Sequence, residues 1–96
     1  GDALRYHQQD LQISHDIDNK IGQARAYGNM GAVYEDRGDI DKAMSLYEQN
    51  LNISALVNDL VGKTRAFASL GRWMTNKYIY YVLFTIVYAP TNYQLM

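Results

Sequence analysis

Between residues 24 and 34 the larger apolar residues and one glycine fall at Tyr27, Met30, Gly31 and Tyr34. Offsets of three, four and seven are the signature of an amphipathic α-helix with one buried stripe. Arg37, Gly38 and Asp39 follow. Gly38 can take the left-handed backbone that closes a helix, and Asp39 can cap the next one. A second helix is predicted over 40–57, with Ala43, Leu46, Tyr47, Leu51 and Ser54 on its packed side and Glu48, Gln49 and Asn52 facing water. So short a link allows only an antiparallel hairpin. Asn58 and Asp59 then end the pair. The opening segment, 2–17, repeats the second helix, with Ala3, Tyr6, His7, Leu11 and Ser14 where Ala43, Leu46, Tyr47, Leu51 and Ser54 recur.

The pattern recurs at forty residues. The run from Gly22 to Gly31, GQARAYGNMG, returns as GKTRAFASLG from Gly62 to Gly71, and the same register carries Gln9 onto Gln49 and Ile13 onto Ile53. A fixed period of this length is the mark of a solenoid, whose units bury their apolar faces only against neighbours. The predicted fold is all-α, an antiparallel helix-hairpin solenoid. Residues 1–72 form its repeat region: a half unit, one full unit and the start of another. Arrays of this kind typically need about three units for stability, so 96 residues read as a fragment or a short gene model. The opening residues begin inside a repeat and lack the basic and apolar segments of a signal peptide.

Composition narrows the partners. Nine basic against ten acidic residues, a net charge of −1, provide no electrostatic footprint for nucleic acid or an anionic membrane. The chain has no cysteine, hence no disulfide framework and no thiolate metal site, which agrees with a cytoplasmic protein.

An aromatic, a Leu-Gly-like pair and a tyrosine on the first helix, then an alanine and an aromatic on the second, here Tyr27, Met30-Gly31, Tyr34, Ala43 and Tyr47 with Gly38 in the turn, resemble the tetratricopeptide repeat. The forty-residue period is similar to the longer repeats of the G-protein-signalling modulators and their relatives, and the resemblance covers residues 3–72. It implies a superhelix whose concave wall, lined by first helices, holds an extended peptide or a partner helix. The acidic motifs that the signalling modulators carry outside their repeats are absent here.

On the residues themselves, Arg25, Asn29, Ala32 and Asp36 form a second stripe on the first helix, which Arg65, Ser69 and Arg72 continue in the next unit. Taken singly, each polar residue would do no more than solvate a helix surface. As a set, Arg25, Asn29, Asp36, Arg65, Ser69 and Arg72 mark a partner-binding groove. An asparagine amide can satisfy a peptide's donor and acceptor together, and arginine grips a carboxylate with two parallel bonds. Acidic peptides are therefore the expected ligand class, and the expected function is that of an interaction scaffold or adaptor.

Other chemistry finds no support. His7 and His15 stand about 12 Å apart along one helix, too far to share a metal, and His7 takes the place of Tyr47 as a packed aromatic. Ser14 and Ser54 lack a histidine base and read as small interface residues. Gly22, Gly28 and Gly31 miss the phosphate-loop spacing. The sequon Asn52-Ile53-Ser54 lies inside a helix. No cofactor, no metal site and no catalysis is expected.

The repeat stops at Arg72. A tyrosine is due at Met74 and a glycine at Tyr78, but an aromatic, uncharged run occupies 78–89 instead, ending at Pro90. About a dozen residues fall short of the roughly 20 that a spanning helix needs. Local composition favours strand; with no evident breaker before Pro90, the expectation is a continuation of the preceding helix. Three accounts of 73–96 compete: a cap on the array, a surface that docks on a membrane or partner, and an alternative or non-coding terminus. A membrane-attached module using 78–89 is the alternative functional reading.

Overall fold

The computed structural model describes residues 2–88. Five helices follow one another: α1, Asp2–Asp16; α2, Lys20–Asp36; α3, Ile40–Leu56; α4, Leu60–Trp73; and α5, Lys77–Val87. The described residues are all-α, and each helix packs on the next as an antiparallel hairpin. The register of contacts demonstrates this: Gly28 faces Asn50 while Gly31 faces Tyr47, so a step up α2 is a step down α3.

The turns explain the boundaries. Between α1 and α2, and between α3 and α4, the reversal puts Asp18 (φ 55°) and Asn58 (φ 57°) in the left-handed region, forty residues apart. Asparagine and aspartate tolerate that backbone better than most side chains. Gly38 plays the same part between α2 and α3, at φ 82°. The Asn19 side chain accepts a hydrogen bond from Gly22 N at 3.0 Å, and Asp39 one from Lys42 N at 3.3 Å. The first capping bond sets the start of α2 at Lys20.

The core lies between α3 and α4, with Tyr34 of α2 and Tyr80 and Leu83 of α5 packed against it. Ala43, Tyr47 and Leu51 of α3 and Ala66, Phe67 and Leu70 of α4 form one buried cluster. Equivalent repeat positions are not equally covered. Ala43 and Ser54 are fully buried because α3 lies between α2 and α4, whereas their counterparts on α1, Ala3 and Ser14, are exposed and half-buried. His7, in the place of Tyr47, is half-buried and meets the Tyr6 ring edge-on at 5.5 Å. The two serines act as small packing residues, since a Cβ added at Gly22 or Gly62 would come within 2.5 Å of the Ser14 or Ser54 hydroxyl.

The tail corrects an expectation. It neither continues α4 nor forms a strand: the chain breaks at Met74, whose backbone is extended (φ −73°, ψ 121°), and restarts as α5. The missed signal is Asn76, whose side chain accepts from the N–H groups of Tyr78 and Ile79 at 3.1 and 3.3 Å. An asparagine cap of this kind holds a helix start as firmly as any residue. The expected end of the run at Ala89 and Pro90 lies outside the described residues.

Gly71 meets the Tyr80 ring, Phe67 meets Phe84, and Lys63 lies by Tyr88. Each step of four up α4 is thus a step of four down α5. The forty-residue register would set Val87 opposite Gly71, as Tyr47 is opposite Gly31. Tyr80 stands there instead, seven residues earlier, because the chain reverses about three residues sooner on each side of the turn. Seven residues are about two helical turns, so α5 presents the same face despite the slip and supplies the tyrosine that the interrupted repeat would have placed there.

Candidate functional site

The chain alternates direction at each turn, so α2 and α4 run parallel, with α3 set behind and between them. Their open side forms a cleft of about 570 Å³. Its walls carry Arg25, Asn29, Ala32 and Asp36 from α2 and Arg65, Ser69 and Arg72 from α4. All six polar residues of the sequence-derived stripe therefore line one concavity. This follows from periodicity: offsets of four, seven and eleven keep a stripe on one side of a helix, and the forty-residue repeat puts the matching stripe on the next first helix. Arg25, Asp36, Arg65 and Arg72 are exposed, and Asn29 and Ser69 half-buried.

The floor comes from residues outside that stripe. Tyr47, Asn50 and Ser54 reach it from α3, through the gap that glycine leaves on α2. A Cβ at Gly28 would stand 2.6 Å from the Asn50 amide nitrogen, and one at Gly31 2.7 Å from the Tyr47 ring. The Ser54 hydroxyl donates to Asn50 Oδ1 at 3.1 Å, which leaves the amide nitrogen directed toward Gly28. Asn50 and Ser54 had a legible signal: they are polar residues on the same helical face as Tyr47 and Leu51.

One end of the cleft is clasped. Glu35 of α2 accepts hydrogen bonds from the Tyr47 hydroxyl, from Arg72 Nη2 at 3.1 Å and Nε at 3.4 Å, and from the Trp73 indole at 2.8 Å. Burial alone would raise the Glu35 pKa, but the bonds from Tyr47, Arg72 and Trp73, with the charge of Arg72, hold it below the usual 4.5. The same contact pushes the Tyr47 phenol up to about 12, through burial first and then the adjacent carboxylate. The bond to Glu35 also raises the already high Arg72 pKa.

The clasp changes the standing of two stripe residues. Arg72 already grips a carboxylate from its own chain, so the bidentate role expected of it toward a ligand is filled by Glu35. The Ser69 hydroxyl donates back to the Arg65 carbonyl at 3.0 Å, a local bond that occupies its donor. Arg25 and Arg65, by contrast, have no ion-pair partner among the described residues. Sequence reasoning missed Glu35 because its partners lie 12 residues away on α3 and 37 and 38 residues away on α4, and no helical spacing relates them. No protein-family profile, curated protein or solved structure matches this chain.

Proposed function

We propose that this chain is a protein-interaction module of the tetratricopeptide type, an adaptor that holds an extended acidic peptide between α2 and α4 with no bond made or broken. The observation that carries this reading is the cleft itself, open on one side, with Arg25 and Arg65 on opposite walls and the Asn29 amide one turn along α2 from Arg25. Arginine binds carboxylates in fork geometry, and a side-chain amide can pair with a peptide group at both its atoms. Proteins enter as partners because the cleft is open and carries charged and amide side chains among apolar ones, the mixture a peptide presents in return. The cytoplasm is the compartment that this role and the absence of cysteine suit.

The membrane-attached alternative draws less support. Among the described residues no helix is long and apolar enough to cross a membrane, and α5 has only 11 residues. Replacing Arg25 and Asn29 together by alanine should weaken a bound acidic peptide at least tenfold with unchanged helical content. Unchanged affinity would remove the cleft as the binding site.

A further inference from the structure

The cleft does not carry one sign of charge. At one end stand Arg25 and Arg65, each six residues into its helix, with Asp59 the only acid lining that end among the described residues. The N-termini of α2 and α4 lie at that same end, because the two helices are parallel, and their dipoles add positive potential there. At the other end Glu35 and Arg72 pair with each other, which leaves Asp36 as the remaining charged side chain lining the cleft there, with Arg37, the next residue, outside the lining. Asp36 is the last residue of α2, where the helix dipole is negative and an acid is unfavourable. Among the described residues it has no ion-pair partner. Two independent arrangements, side-chain placement and helix direction, thus polarise the cleft in the same sense.

We propose that the cleft selects a dipolar peptide, with an acidic side chain seated between Arg25 and Arg65 and a basic one against Asp36. The proposal rests on the groove reading above and adds its register. Arg25 and Asp36 are eleven residues apart on one helix, about 16 Å along its axis. An extended chain covers roughly 3.3 Å per residue, so the acid and the base of the ligand lie about five positions apart. Asn29, between the two poles, faces the intervening peptide backbone. A ligand with acids at both ends would meet Asp36 with like charge, which separates this specificity from a general preference for acidic segments.

The test uses the whole chain and short synthetic peptides on an alanine and serine background, titrated by calorimetry at low ionic strength, where surface charges are least screened. One peptide has Asp and Lys five positions apart, in each of the two orders; comparators replace the Lys by Gln or close the spacing to two. The expected result is at least fivefold tighter binding for one order of the five-spaced peptide than for either comparator. Asp36→Asn should erase that advantage with a melting temperature equal to or above the parent's, because it removes an acid from a helix C-terminus. Asp36→Lys should prefer a peptide whose Lys is replaced by Glu. If Asp36→Asn leaves the advantage intact, or the two-spaced peptide binds equally well, the register is overturned, while sensitivity to Arg25→Ala would keep the groove. If no peptide binds, the groove reading and the register fall together.

Discussion

A single methyl group at Gly31 tests the packing that shapes the cleft. In a helix interior, Gly→Ala ordinarily stabilises by about 1 kcal/mol, because glycine has more backbone entropy to lose. At Gly31 the new Cβ would lie 2.7, 2.9 and 3.2 Å from three atoms of the Tyr47 ring. That ring is 3% exposed, and its hydroxyl is tied to Glu35, so it cannot move aside without breaking the clasp. Overpacking of this kind costs roughly 1–3 kcal/mol, and the balance is a net loss of about 1 kcal/mol. For a domain of this size that lowers the melting temperature by about 4–8 °C. Gly71 supplies the internal control, since its Cβ would stand equally near the Tyr80 ring, at 2.7 and 2.9 Å. Tyr80 is only half-buried, and its hydroxyl has no hydrogen bond among the described residues, so the ring can yield. Gly71→Ala should therefore be neutral or stabilising. Thermal unfolding followed by circular dichroism compares the two, and a Tyr47→Phe background should relieve part of the Gly31→Ala loss by freeing the ring. A Gly31→Ala protein more stable than its parent by the full propensity gain would refute the reasoning.

Two further outcomes follow from the clasp and the tail. Because the Glu35 pKa is depressed in the folded state, its stabilisation is fully present above the ordinary carboxylate pKa and is lost as pH falls through the lowered value. Glu35→Gln should therefore flatten the acid limb of the stability profile below about pH 4.5. The difference should be about 1 kcal/mol, held down by the half-exposed Arg72; parallel profiles would show that the clasp does not couple α2 to α4. Asn76→Ala removes both bonds that start α5 and should cost about 1 kcal/mol locally. Amide hydrogen exchange should accelerate in α5 and stay slow in α2 and α3, and equal protection everywhere would place the α5 start on contacts other than this cap.

Much of the architecture was legible because a helical hairpin is a local object. The stripe Tyr27, Met30, Gly31, Tyr34 and the turn at Gly38 are set by residues within about ten positions of one another, and the forty-residue recurrence copies them without long-range information. The candidate stripe was legible for the same reason, since helical spacing alone places Arg25, Asn29 and Asp36 on one side. What the reading lost at α5 was also local in origin: Asn76 is a capping residue, but an apolar run with no proline outweighed it.

The sequence by itself thus determined the helices, their alternation and which faces repeat, because backbone hydrogen bonding and side-chain period act over single turns. Tertiary structure decided which copies of a repeated position are buried, since α3 has neighbours on two sides and α1 on one. It decided the seven-residue slip that brings Tyr80 to Gly71. It also decided that Arg72 belongs to Glu35 while Arg25 and Arg65 have no ion-pair partner among the described residues. A carboxylate's partner depends on where α4 comes to rest beside α2, and that is fixed by how Tyr47, Asn50 and Ser54 of α3 and the glycines facing them fit together.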